Sequence, residues 1–451
     1  MNNSITSYLK GILNRINRKL GNNDSSSVFK GMLTLALGSS AARIIGLASI
    51  PIITRIYTPS DYGLLALYIS ITSILASVTT LKYNTAIPLP KLDALAINLL
   101  ALSTLLLISF LIILSLSLFL FGEVILHWFD MSELFNWWWL IVLGVAGSAT
   151  YEIFSLWATR KRQYKVIAKT QFIQSLTGNI AKIVLGLLAF KTIGLITGQF
   201  LAQSAGLMGL IKESIKDFKR LIPDISIKRI KLVAGCYREF PYFRLPSQAL
   251  LQISSNAPVL MMAVLYGKEV TGQLSLAIMA VSLPTGLIGQ AMAKAFYAEI
   301  AVIGKRDLVR IKDLTIDVQK KLFFLGVPLT IAVMLFAPLL FKLVFGPEWE
   351  VAGRYTAILA PFVLLQFTSN PLMQVLNITG SQLMFLVINI VRTLGLLALF
   401  FIFKGYDLSS DSFVIALSSY LCIYYLGTTA FIFYTVNKSA IQQKKQYNFE
   451  I

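Results

Sequence analysis

The chain has 451 residues, of which 56% are hydrophobic and 14% charged, and its mean hydropathy is +0.72. Soluble domains carry about 25% charged residues, so this composition excludes a soluble globular protein and indicates a membrane protein. The net charge of +19 does not indicate nucleic-acid binding, because lysine and arginine accumulate on the cytoplasmic side of membrane proteins. The apolar runs are continuous and about 20 residues long, which predicts spanning helices rather than barrel strands.

The first element in chain order is a basic segment at residues 1–27. Its apolar residues recur at helical spacing, which predicts an amphipathic helix on the cytoplasmic membrane surface. A disordered basic tail is the alternative. The apolar positions are Ile5, Tyr8, Leu9, Ile12, Leu13, Ile16 and Leu20.

Twelve apolar segments that are long enough to cross a bilayer follow. They are predicted at 28–53, 62–86, 94–121, 135–158, 166–189, 192–212, 241–266, 270–301, 321–345, 354–376, 381–403 and 412–436. Helices 1–6 form an N-lobe at 28–212, and residues 213–240 are a cytoplasmic basic linker. Helices 7–12 form a C-lobe at 241–437, and residues 438–451 are a cytoplasmic tail. The predicted fold class is therefore an all-α polytopic membrane protein with two six-helix lobes.

Basic residues predict the orientation of these helices. The tails and the even-numbered gaps, taken as about 82–93, 160–169, 212–244 and 304–321 and so overlapping the approximate span ends, hold 30 of the 40 lysines and arginines, and the odd-numbered gaps hold 5. Because positively charged loops stay in the cytoplasm, both termini are predicted to be cytoplasmic. The span count is then even.

A short internal repeat supports the division into two lobes. Tyr57, Gly63, Leu65 and Leu67 recur at an offset of 209 as Tyr266, Gly272, Leu274 and Leu276. Both copies fall in the outer turn between the first two spans of a lobe. An even number of spans in each half predicts parallel repeats, with a substrate cavity between them near the middle of the bilayer.

The remaining five basic residues lie inside predicted spans, where a charge is costly. An arginine at mid-bilayer costs about 2.5–3.5 kcal/mol on insertion scales, so it is expected to face a watery cavity or an anion. Arg43 is the clearest case, because small residues on either side of it allow an open groove. The five are Arg43, Lys182, Lys294, Lys342 and Arg392.

Four of these cations, together with Arg55 and Arg244 at the mouths of the cavity, are the candidate substrate-binding residues. Arginine suits a phosphate or diphosphate, because its planar fork donates two parallel hydrogen bonds. Snorkelling and structural salt bridges are the alternatives. The candidates are Arg43, Arg55, Lys182, Arg244, Lys294 and Arg392. Glu152, an acid inside the fourth span, is expected to pair with a buried cation or to take part in ion coupling.

The sequence favours transport over catalysis. Outer loops are no longer than about 15 residues, which leaves little room for a glycosyltransferase or polymerase active site. Two cysteines and one histidine predict no metal site, and no glycine-rich phosphate loop occurs, so direct ATP use is not expected. We therefore expect no cofactor and no enzymatic activity.

The segment from Ala42 to Gly63 resembles the amino-terminal pattern of Wzx-type flippases in the MOP superfamily of exporters. The residues that show this resemblance are the Thr54-Arg55 end of the first span, the Tyr57-Thr58-Pro59 turn and the Asp61-Tyr62-Gly63 tripeptide. The resemblance implies two lobes that rock between inward-open and outward-open states. It also implies an undecaprenyl-diphosphate-linked oligosaccharide as the substrate.

We therefore expect a flippase that moves a polysaccharide repeat unit, of O-antigen, capsule or exopolysaccharide, to the outer leaflet of the bacterial inner membrane. A polysaccharide polymerase and a chain-length regulator are expected partners. A cation-coupled multidrug-type exporter of the same fold is the alternative. A membrane polysaccharide polymerase or glycosyltransferase is a further, less favoured alternative.

Overall fold

A computed structural model of the chain describes residues 24–304, 307–376 and 382–449. All regular elements in these ranges are helices, which confirms the all-α prediction. The predicted amphipathic helix at 1–27 falls almost entirely outside the described residues. Helical structure follows from the membrane environment, because a helix satisfies every backbone hydrogen bond within its own segment.

Eight α-helices make up the described first half of the chain. They are α1 (Asp24–Ile56), α2 (Pro59–Val78), α3 (Asp93–Trp128), α4 (Trp139–Arg160), α5 (Tyr164–Leu187), α6 (Lys191–Ser204), α7 (Leu207–Leu221) and α8 (Ile227–Cys236).

The described second half holds six α-helices and two short π-helical turns. The helices are α9 (Leu245–Pro284), α10 (Gln290–Ile303), α11 (Leu308–Val344), α12 (Glu350–Leu372), α13 (Gln382–Tyr406) and α14 (Ser410–Phe449). The π-turns are Phe240–Arg244, before α9, and Thr285–Gly289, between α9 and α10.

The sharp turn between α1 and α2 is encoded by the Thr-Pro-Ser-Asp sequence. Thr58 Oγ1 accepts a hydrogen bond from Asp61 N at 3.3 Å, and Asp61 Oδ2 accepts one from Thr58 N at 3.0 Å. This is a reciprocal capping box, with Pro59 at the first helical position, where its missing N–H costs nothing. The turn is thus two residues long, and α1 and α2 are tightly connected.

Ten helical segments among the described residues are long and apolar enough to cross a membrane, compared with the twelve predicted spans. Helix α5 is not among them, since its sequence carries several lysine, glutamine and asparagine residues. The segment Phe240–Ser282 counts once, although its backbone bends at Gly267, where φ is 81° and ψ is 177°. The count of twelve, and the cytoplasmic position of the termini, therefore stay predictions.

The turns of the chain gather at two ends of the bundle. At one end, Lys268 N donates to Asp130 Oδ2 and Trp349 Nε1 donates to the carbonyl of Thr54. At the other, Asn98 Nδ2 donates to the carbonyl of Asp224. We call the first the outer end and the second the inner end, following the predicted orientation.

Buried apolar residues from both halves share one cluster near the outer end. Tyr62 of α2 packs edge-on against Trp349, with ring centroids 5.2 Å apart, and Leu276 of α9 belongs to the same cluster. Trp349 is fully buried. The halves are thus joined by a packed core at this end.

Candidate functional site

The candidate site begins with the way α5 holds α1. Ser39 Oγ donates to Gln171 Oε1 at 2.6 Å, and Ser175 Oγ donates to the carbonyl of Ala42 at 2.6 Å. A Cβ added to Gly38 would lie 2.5 Å from the Cβ of Ala168, so only glycine permits this spacing. Small residues and hydroxyl bonds are the usual means by which membrane helices pack closely. They fix the rotation of α1.

With α1 held in this way, Arg43 reaches the second half of the chain. Its Nη1 donates to the carbonyl of Gly286, in the π-turn between α9 and α10. The Arg43 side chain is exposed rather than buried in a helix–helix seam. A guanidinium thus lies at the interface of the two halves, beside the π-turn that interrupts regular α-helical geometry between α9 and α10.

Arg55 also contacts the second half, nearer to the outer end. Its Nη2 donates to the carbonyl of Leu343 at 3.2 Å, next to the bond from Trp349 to the Thr54 carbonyl at 3.0 Å. The outer end of α1 is therefore tied to α11 and to the start of α12.

The two glycines of the internal repeat touch each other's turns. A Cβ on Gly63 would lie 1.8 Å from the carbonyl oxygen of Lys268, and one on Gly272 would lie 1.8 Å from the carbonyl oxygen of Pro59. Both clashing atoms belong to the backbone and cannot rotate away. The repeat is therefore built as a reciprocal close contact between α2 and α9 at the outer end.

An ion pair also joins the two halves at the outer end. Lys268 Nζ contacts Glu133 Oε1, and Lys268 N donates to Asp130 Oδ2 at 2.9 Å. Both acids lie in the turn between α3 and α4 of the first half. These three residues were not predicted as functional from the sequence, because charges in short outer turns are usually solvated.

Three of the other candidate cations, Lys182, Arg244 and Arg392, make their described contacts elsewhere. Lys182 is buried within the first half, where its Nζ donates to Gln199 Oε1 at 2.7 Å. The Arg244 guanidinium lies 5.9 Å from the Phe240 ring, in the π-turn before α9.

Arg392 lies on α13, with its guanidinium 6.0 Å from the Tyr424 ring of α14. Lys294 belongs to α10, and its side chain lies outside the described part of the structure. Of the six candidates, Arg43 and Arg55 are the two whose described contacts cross between the halves.

Glu152 forms an ion pair with Lys82, with Nζ 3.7 Å from Oε1. The Lys82 side chain is 9% exposed, and that of Glu152 is 40% exposed. The sequence predicts Lys82 at the start of the second gap, as a loop cation. The structure instead places it at a positive φ of 62°, with its side chain turned into the protein beside α4.

An apolar crevice with a volume of about 220 Å³ lies within the second half. Its walls are α11, α12 and the end of α9, together with Ile288 of the π-turn that carries Gly286. This crevice could not be predicted from the sequence, because spanning helices are apolar on every face. Its lining residues include Ile288, Leu329, Thr330, Thr356, Val363 and Phe367.

The comparison with protein families gives a match over most of the chain. The profile described as "Polysaccharide biosynthesis protein" matches residues 52–354, which is about two thirds of the 451 residues. No curated protein sequence matches the chain.

Solved structures show a shared fold at low sequence identity. The lipid II flippase MurJ in an inward closed conformation superposes with a TM-score of 0.68 at 13% identity, covering 93% of each chain. A mutant of the Vibrio cholerae MATE transporter VcmN gives 0.62 at 14% identity, covering 92% of this chain and 97% of that one. An inward-facing multidrug resistance MATE family transporter of the MOP superfamily gives 0.59 at 13% identity, covering 91% and 95%. The fold is thus that of MOP superfamily transporters.

Proposed function

The chain belongs to the family of polysaccharide biosynthesis proteins, and from this membership and its cationic interface we propose that it is a lipid-linked oligosaccharide flippase. Its substrate is an undecaprenyl-diphosphate-linked repeat unit of O-antigen, capsule or exopolysaccharide. It moves the diphosphate head from the cytoplasmic to the outer leaflet of the bacterial inner membrane by alternating access. No bond is made or broken.

The observation that carries the proposal is the position of the Arg43 guanidinium between the halves. Arg43 lies 13 residues before the end of α1 at Ile56, which is about 20 Å along a helix and near the middle of a bilayer core of about 30 Å. A charge at that depth is costly and marks a functional site by default. The oxygens of a diphosphate accept the paired hydrogen bonds that a guanidinium donates.

Electrostatics favours the proposed direction. The interior of a bacterium is electrically negative, and moving one charge through 100 mV is worth about 2.3 kcal/mol. An anionic diphosphate therefore gains free energy on its way out. Arg55 lies farther along the same helix toward the outer end and offers a second guanidinium on that path. The glycan then passes to a polysaccharide polymerase and its chain-length regulator.

The multidrug-type exporter draws support from the fold alone. A cation-coupled exporter is expected to use a buried carboxylate as its coupling group. Glu152 was the candidate, and it is paired with Lys82. The match to the family of polysaccharide biosynthesis proteins favours the flippase over this exporter.

The test is translocation of a fluorescent undecaprenyl-diphosphate oligosaccharide in proteoliposomes. We expect Arg43→Ala to reduce the initial rate at least tenfold, and Arg43→Lys to restore part of it, because lysine keeps the charge but loses the fork. Arg354→Ala is the matched control, since Arg354 is an exposed arginine paired with Asp411 at the outer end. Wild-type rates in Arg43→Ala would remove this residue from the mechanism, and no translocation by the wild-type protein would refute the proposal.

A further inference from the structure

The crevice in the second half presents hydrocarbon. Two of its lining residues, Thr330 and Thr356, carry hydroxyls, and both donate to their own helix: Thr330 to the carbonyl of Gly326 at 2.9 Å and Thr356 to that of Ala352 at 2.7 Å. The other lining side chains are aliphatic or phenylalanine. A ligand in this crevice is therefore apolar along the part that it buries.

The crevice has a closed back and an open side. Val363 and Phe367 of α12, at the back, are 7% and 6% exposed. Leu329 of α11, at the open side, is 46% exposed. Because α11 is among the helices apolar enough to span a membrane, its exposed apolar face lies in lipid. A chain can thus enter the crevice sideways from the bilayer.

One end of the crevice lies next to the Arg43 contact. Ile288 lines the crevice and is two residues beyond Gly286, whose carbonyl accepts from Arg43. Residues two apart on a helix face different sides, so the stronger observation is the packing of α1: Val333 and Phe341 line the crevice and belong to the same cluster as Leu47, one helical turn after Arg43. A cationic group and an apolar slot are therefore neighbours, in the order in which a prenyl diphosphate presents its head and its chain.

We propose that this crevice holds the first isoprene units of the polyprenyl chain while Arg43 binds the diphosphate. The inference rests on the proposed function and assigns the tail to a site within the second half. A cavity of about 150 Å³ takes one benzene ring, so a volume of about 220 Å³ has room for roughly two five-carbon units. The rest of the chain stays in lipid.

The crevice acts by position rather than by hydrophobic affinity. Lipid tails are as apolar as leucine side chains, so moving a chain from bilayer to crevice gains little from water exclusion. What the crevice adds is close packing around a methyl-branched chain. The measurement should therefore locate the chain rather than rely on its binding strength.

The experiment is photo-cross-linking in nanodiscs. The purified full-length protein is mixed with a prenyl diphosphate that carries a diazirine on its second isoprene unit, irradiated, digested and mapped by mass spectrometry. We expect labelled peptides from α11 around Leu329 and from α12 around Val363. Leu329→Trp fills the open side and should lower this labelling at least fivefold. Leu335→Trp is the matched control, because Leu335 is 68% exposed on the same helix and does not line the crevice.

Each outcome decides the proposal. Fivefold loss in Leu329→Trp with no loss in Leu335→Trp supports it. Labels spread over lipid-facing positions, equal labelling by a phosphatidylglycerol that carries the diazirine on a straight chain, or labelling unchanged in Leu329→Trp would each overturn it. None of these results affects the flippase assignment, which the Arg43 translocation assay tests separately, with wild-type protein and a complete substrate.

Discussion

The reciprocal contact of Gly63 and Gly272 holds α2 and α9 together at the outer end, and one added methyl group tests whether this contact keeps the outer end closed. A Cβ in Gly63→Ala would start 1.8 Å from the Lys268 carbonyl oxygen, and an ordinary contact needs about 3.4 Å. Because the opposing atom is backbone, α2 and α9 must separate by roughly 1.5 Å. Overpacking of this kind costs about 1–3 kcal/mol, which corresponds to a shift of about 5- to 150-fold in the population of the outer-closed state.

Cysteine accessibility measures that population. Cys236 and Cys422 are the two native cysteines, and both would be replaced by serine. A reporter is then placed by Leu276→Cys, since Leu276 is 1% exposed within the cluster that joins the halves. In intact cells, a membrane-impermeant maleimide should label this reporter at least fivefold faster when Gly63→Ala is present.

The matched control is Gly427→Ala, a glycine in α14 with open space where its Cβ would lie. It should leave labelling unchanged. The double variant Gly63→Ala, Gly272→Ala should fall short of the sum of the single effects, because one separation relieves both clashes. If Gly63→Ala folds and labels at the wild-type rate, the contact does not set the outer-closed state.

Two further predictions concern charges at the ends of the bundle. Lys268→Glu should raise the same labelling about two- to fivefold at low salt and less at high salt, and adding Glu133→Lys should reverse it, because exposed pairs are worth about 0–1 kcal/mol. Asp93 begins α3 at the inner end, beyond the bilayer core, since 36 residues extend about 54 Å. Lys161 holds the pKa of the Asp93 carboxyl below its ordinary value, so this carboxylate stabilises the fold at neutral pH and the contribution is lost as pH falls through the lowered pKa. Asp93→Asn should therefore lower the thermal midpoint relative to the wild type at pH 7, and this difference should shrink toward pH 3.

Most helices could be predicted from the sequence, because exclusion of charge from hydrocarbon constrains long segments strongly. Helix α3 was predicted at 94–121 and runs from Asp93 to Trp128. The ends were harder to place, since helices continue past the bilayer wherever local capping allows. Helix α11 was predicted from 321 but begins at Leu308, where the Asp307 carboxylate accepts from Arg310 N at 2.9 Å. That capping residue was readable in the sequence.

The candidate site was only partly predictable, for a different reason. The depth of a residue in the membrane can be predicted from the sequence, and by depth alone Arg43, Lys182 and Arg392 were equally good candidates for substrate binding. The direction in which each side chain points depends on helix rotation. In a bundle that is apolar on all sides, hydropathy does not report rotation. Gly38, Ser39 and Ser175 settle it for α1, whereas Gln199 draws Lys182 into the first half.

The short turn between α1 and α2 links the outer closure to the cationic site. Because Tyr57 and Thr58 alone separate the two helices, opening at Gly63 must move α1 as well. We expect such a movement to displace Arg43 from Gly286, whose carbonyl accepts from its guanidinium. The diphosphate that we propose as the ligand of Arg43 would compete with the Gly286 carbonyl for the same guanidinium, and it would therefore bind one arrangement of the halves better than the other. Ligands shift a conformational equilibrium only through such differential binding, and the coupling is reciprocal. We therefore expect the repeat glycines and Arg43 to be two parts of one equilibrium.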